Sequence, residues 1–115
     1  MDETLQRTML FDFFGELLTE KQREYYNLHY NEDWSLAEIS AMTGISRQGV
    51  WDIVRRAEAV LMQTEEKTGL VRRYNERRAA VGRIRCEMEK LHDMTTGPAH
   101  ELSKQILCLI DSLEV

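Results

Sequence analysis

Apolar side chains over residues 3–18 fall at Leu5, Met9, Leu10, Phe13, Phe14, Leu17 and Leu18, a spacing that predicts a helix. On a helical wheel they span an arc of roughly 220°, about twice the stripe that one packing partner covers. The surplus predicts two neighbours: the rest of its own domain, and a second protomer reached through Phe13 and Phe14 in a homodimer. Thr19 and Gln22 form a capping box, so a second helix starts there and runs to about Tyr30. After a polar break at residues 31–33, Ser35 and Glu38 repeat the box and open a short helix over residues 36–42 that stops at Gly44. Ser46 caps again, and a helix follows from Arg47 to about Glu66. One face of it carries Val50, Ile53, Val54, Ala57, Val60 and Leu61, and only Gly49 weakens the pattern.

Beyond Gly69 the apolar period changes. Leu70, Tyr74, Arg77, Val81, Ile84, Met88 and Leu91 alternate steps of four and three, a heptad seam interrupted only by Arg77. Residues 95–98 read as a loop, and Leu102, Ile106, Leu109 and Leu113 make a second seam after it. The expected fold is all-α. A helix-turn-helix domain, winged-helix-like or like region four of sigma factors, with its N-terminal packing helix, occupies residues 1–66. Residues 67–115 form a long heptad helix and a C-terminal helix folded back as a hairpin. Folding at residue 97 sets Cys86 and Cys108 at similar heights, where they read as reduced apolar fillers and not as a disulfide framework.

With 43% hydrophobic and 30% charged residues, the 115-residue chain belongs with ordinary globular domains, not with disordered or collagenous chains. No apolar run approaches the ~18 residues of a membrane span, and the acidic start Met1-Asp2-Glu3 is unlike a signal peptide. The expected location is therefore cytoplasmic. The net charge of −5 counts against a general affinity for polyanions, but it is unevenly spread. It is −5 over residues 1–34, 0 over 35–63, +3 over 64–90 and −3 over 91–115. The positive segment holds Arg72, Arg73, Arg77, Arg78, Arg83 and Arg85, yet Glu76, Glu87 and Glu89 interleave with them as on a solvated helix face.

Residues 35–53 read as a helix-turn-helix. Ser40 is small enough for two helices to cross, Gly44 makes the turn, and Ile39, Ile45, Val50 and Ile53 fill the wedge between them. Subtracting those positions leaves Arg47, Gln48, Trp51, Asp52 and Arg55 outward on the second helix, with Arg56 beside them. In a major groove, Arg reads guanine, Gln reads adenine and an apolar ring meets a thymine methyl. Arg47, Gln48, Trp51, Arg55 and Arg56 are thus the candidate nucleic-acid contacts, while the Asp52 carboxylate repels phosphate. Trp51 has a second reading as a packing residue against the first helix. Catalysis finds no support: His29, His92 and His100 lie far apart, and the phosphate-loop, dinucleotide, nucleophile-elbow and zinc-protease motifs are missing. The expectation is a non-enzyme with no catalytic residue, no metal and no cofactor.

Residues 18–23 (LTEKQR), 32–39 (EDWSLAEI), 46–52 (SRQGVWD), Arg55-Arg56 and Glu65-Glu66-Lys67 together resemble the YlxM-like family of small bacterial helix-turn-helix proteins. The resemblance runs from about residue 3 to the last helix, although the 95–98 loop and C-terminal helix match it less well. It implies an all-α fold and a gene commonly adjacent to that of the signal recognition particle GTPase. It further implies a regulatory part in that protein-targeting pathway, through contact with the particle's RNA, its GTPase or the receptor, or through DNA. The leading expectation is therefore a regulatory helix-turn-helix protein of this pathway. A sequence-specific DNA-binding transcription regulator is the alternative, and a protein-only adaptor the third reading.

Overall fold

A computed structural model of the chain describes residues 2–113. Two compact units meet at Val71/Arg72. In the first, the Asp2 carboxylate accepts the Thr4 amide and opens α1 (Glu3–Phe14). This helix stops at Phe14, short of Leu18, because Gly15–Leu17 tightens into a 3-10 turn and Leu18 leaves it extended. The change of pitch turns Leu18 into the core, 7% exposed, and leaves Leu17 outside, 62% exposed. The wide arc of α1 is largely used within the chain: Leu10 and Phe14 are buried, and Met9 and Phe11 pack against them. Phe14, expected at a protomer interface, is only 5% exposed in the single chain, so it has no surface to offer a second copy. Its ring meets Phe13 edge-on at 6.0 Å, and Phe13 stays on the outer side with Leu5 and Leu17.

Thr19 opens α2 (Glu20–Tyr26) with both halves of the capping box in place. The expected continuation to Tyr30 is not regular: residues 27–31 widen into a π-helical turn. That turn keeps Tyr26 buried between Phe11, stacked at 5.6 Å, and Tyr30 at 4.9 Å. Next come α3 (Leu36–Thr43) and α4 (Arg47–Thr68), the latter closed by Gly69 in the left-handed conformation. One face of α4 buries Val50, Val54, Ala57 and Leu61 against α1, α2 and α3, and each full-sized aliphatic contributes about 1.5–3 kcal/mol by leaving water. No strand occurs among the described residues, so the helix-turn-helix carries no wing there.

The second unit consists of α5 (Leu70–Met94) from Arg72 onward and α6 (Gly97–Asp111), which starts inside the expected loop. They form a hairpin, but only part of each heptad seam lies in it: Val81, Met88 and Ile106 are half-covered, and polar groups share the contact. The Ser103 hydroxyl donates to the His100 carbonyl and accepts the Nδ1 proton of His92 at 2.8 Å. His100 Nδ1 donates to the His92 carbonyl at 2.9 Å, the two imidazoles stack at 3.8 Å, and Arg85 pairs with Asp111. Val81, Arg85, Met88 and His92 are accordingly the half-covered row of α5. Turning these polar groups inward leaves Ile84 (54%), Leu91 (48%), Leu102 (57%), Leu109 (66%) and Leu113 (54%) exposed, all of them expected in the seams. Cys86 and Cys108 are free and exposed, so neither fills a core.

Candidate nucleic-acid interface

The corner between α3 and α4 is built by short side chains bonded to backbone. Ser35 Oγ accepts the Glu38 amide at 3.0 Å while the Glu38 carboxylate accepts the Ser35 amide at 3.1 Å. These bonds hold the Glu38 carboxyl below the ordinary carboxylate range. At the other end of α3, Gly44 takes a φ of 78°, open to glycine and strained for other residues. Ser40 does more than keep the crossing small, since its hydroxyl donates to the Ile45 carbonyl inside the turn. Thr43 Oγ1 accepts the Ile45 amide at 3.3 Å and donates to the Ile39 carbonyl at 2.8 Å. Ser46 Oγ then accepts the Gly49 amide at 3.0 Å and starts α4. Gly49 itself is required by the turn: a Cβ there would lie 2.8 Å from Ile45 Cγ2 and 3.2 Å from Ser46 Oγ. Periodicity alone marks that glycine only as a weak point in a helix.

Helical spacing puts Gln48, Asp52 and Arg55 in one outward row on α4, and all are exposed. Arg47 sits exposed in the first turn, and Arg56 is exposed about 100° round the helix from Arg55. Among the described residues Arg47, Arg55 and Arg56 make no ion pair, so their donors face solvent. Gln48 is not free to the same degree, because its amide donates to Asp52 Oδ1 at 3.3 Å. Trp51 is half-buried at the edge of the row. It packs against the core, and the His29 ring of the π turn meets it edge-on at 6.3 Å. That histidine is oriented by Nδ1, which donates to the Trp34 carbonyl at 2.8 Å.

Behind the row, a cluster that sequence reasoning missed locks α4 to α1 and the π turn. Glu58 accepts from Arg7 Nε and from the Tyr30 hydroxyl, each at 3.3 Å, and the Arg7 guanidinium lies over the Tyr30 ring at 4.5 Å. Burial and then the Glu58 charge push the Tyr26 and Tyr30 phenols up. Burial opposes the charge on Arg7, but the hydrogen bond and charge of Glu58 outweigh it and raise its pKa. Because Glu58 is spent inward on Arg7, the acidic groups left on the outer surface of residues 35–63 are Glu38 and Asp52, against Arg47, Arg55 and Arg56. Among the described residues no group of three His, Cys, Asp or Glu side chains could hold a metal ion, and no helix is long and apolar enough to cross a membrane.

Residues 1–98 match the family UPF0122, described as "Putative helix-turn-helix protein, YlxM / p13 like". A UPF0122 protein of Thermoanaerobacter sp. (strain X514) is 44% identical over 97 residues, 84% of this chain and 83% of the relative. One from Geobacillus kaustophilus (strain HTA426) is 46% identical over 85 residues, covering 74% and 77% of the two chains. The UPF0122 protein YlxM of Bacillus subtilis (strain 168) is 38% identical over 114 residues, 99% of this chain and 96% of that one.

Proposed function

The chain belongs to the UPF0122 family of YlxM and p13 like helix-turn-helix proteins, and on that premise we propose that it is a non-enzymatic regulator that binds nucleic acid through the outer face of α4. The observation that carries this reading is the outward row itself. Three arginines that make no ion pair among the described residues and one glutamine surround a doubly capped corner, while the nearby Glu58 is neutralised from within. Arg47, Arg55 and Arg56 supply phosphate or guanine contacts, Gln48 a base contact once released from Asp52, and Trp51 an apolar edge. The resemblance to YlxM-like proteins favours the signal recognition particle pathway as the setting, with the particle's RNA as the leading ligand and duplex DNA as the alternative.

Fluorescence titration of the particle's RNA and of a random-sequence duplex pool, at two salt concentrations, tests the proposal. Arg55→Ala should weaken binding to every sequence and reduce the salt slope by about one phosphate contact. Gln48→Ala should leave the slope alone and relax sequence preference. With a net charge of −5, tight binding should be confined to particular sites. No binding to either ligand at low salt overturns the nucleic-acid reading. Retained binding to the particle's GTPase or its receptor in that case favours a protein adaptor, the reading that the acidic total and the Gln48–Asp52 bond support.

A further inference from the structure

In the outward row of α4 the acid is Asp52, an exposed carboxylate on a face whose other charges are arginines. Such an acid ordinarily pairs with a basic side chain three or four residues on, and Arg55 and Arg56 stand at those two positions. Asp52 forms an ion pair with neither among the described residues. Its Oδ1 instead accepts the side-chain amide of Gln48 at 3.3 Å, one turn back. The carboxylate therefore leans toward the first turns of α4, the end from which a recognition helix reaches base edges. Arg55 and Arg56 keep their donors for phosphate.

The chemistry open to Asp52 is narrow. An ionised carboxylate only accepts hydrogen bonds, and phosphate oxygens, guanine O6 and N7 and thymine O4 are acceptors as well. The donors that base edges offer in a major groove are the exocyclic amines, N4 of cytosine and N6 of adenine. We infer that Asp52 determines specificity on the α4 face by accepting such an amine, from one strand of a duplex or from a base at an RNA bulge, a role that rests on the nucleic-acid reading of α4. In the free protein Gln48 and Asp52 satisfy each other. On a matching site the Gln48 amide turns to its own base and the amine takes its place on Oδ1, so no acceptor is left unpaired. Four residues of rise, about 6 Å, cover one to two base steps of about 3.4 Å, so the two side chains address neighbouring bases. With guanine or thymine at the Asp52 position on that strand, the carboxylate faces a carbonyl oxygen and the site is rejected.

Sites are selected with the full chain from two pools, random-sequence DNA duplexes and random-sequence RNA hairpins, and the pool that yields them shows which nucleic acid supplies the amine. In the selected site one position should be confined, in fixed orientation, to cytosine or adenine. Replacing that base by its analogue without the amine, pyrimidinone for cytosine or purine for adenine, should weaken wild-type binding by roughly 5- to 150-fold. Asp52→Ala, at an exposed position, should keep the helical circular dichroism signal, bind random sequence more tightly and lose much less to the analogue. Comparing the two proteins cancels any effect of the analogue on base pairing itself. An equal loss in wild type and variant overturns the inference, because the amine then meets another group. So does wild type that binds but selects no site, or Asp52→Ala that binds every sequence more tightly by one factor. In those cases the carboxylate only repels phosphate, and the α4 reading stands. Wild type that binds neither pool at low salt removes that reading and this inference together.

Discussion

Replacing Gly49 by alanine sets two effects of opposite sign against each other inside one helix. Alanine is a better helix former than glycine by about 1 kcal/mol, and on propensity alone the change should stabilise α4. The added Cβ, however, would stand 2.8 Å from Ile45 Cγ2 and 3.2 Å from Ser46 Oγ, so Ile45 has to leave its place in the wedge or the cap has to open. Inserting a methyl group into a packed site costs about 1–3 kcal/mol, and loss of the Ser46 cap adds about 1 kcal/mol more. The net expectation is a loss of about 1–3 kcal/mol, a fall in melting temperature of roughly 4–24 °C for a unit of this size. Gly82 is the control. It also lies within a helix, but its Cβ would meet nothing within 4 Å, so Gly82→Ala should stabilise by about 0.5–1 kcal/mol. Thermal unfolding followed by circular dichroism compares the two. If Gly49→Ala melts at or above the wild type, the close approach of the turn to α4 is not a constraint and the account of the corner fails.

Two further substitutions probe the groups that hold the interface in place. The Glu38 carboxyl is held below its ordinary range in the fold, so its contribution is complete above the unfolded pKa of about 4.3 and is lost as pH falls through the folded value. Glu38→Gln should therefore be less stable than the wild type at neutral pH and converge with it in acid. Urea midpoints measured at pH 7 and pH 3 check this, and a gap that persists at pH 3 contradicts it. Glu58→Ala removes the acceptor shared by Arg7 and Tyr30 and leaves a half-covered guanidinium, at a cost of about 1–3 kcal/mol in denaturant unfolding. A loss under 0.5 kcal/mol would mean that the cluster does not tie α4 to α1.

The parts of this fold that could be read from sequence are those in which one residue acts on its own backbone at a fixed distance. Thr19 with Gln22, Ser35 with Glu38, Ser46 and Gly44 each fulfil such a rule, and the helices start and stop where they stand. The outward row of α4 was accessible for the same reason, since removing Val50, Ile53 and Val54 leaves Gln48, Asp52 and Arg55 by periodicity alone. Features that depend on a second element were not accessible: the contact of Trp51 with His29, the acceptor role of Glu58, and the need for glycine at position 49 all involve neighbours whose place the one-dimensional pattern does not give. The hairpin shows why a heptad pattern can mislead. A count of apolar positions assigns Arg85 and His92 to solvent, yet bonded to Asp111 and Ser103 they face α6, and the helix is rotated accordingly. Periodicity reports that a helix has an apolar face, not which neighbour that face meets. Here polar contacts share the space between the two helices, so each seam is split: Val81, Met88 and Ile106 are half-covered, while Ile84, Leu91, Leu102 and Leu109 stay on the exposed side, and the regular spacing that predicted a continuous internal core corresponds to only half of one.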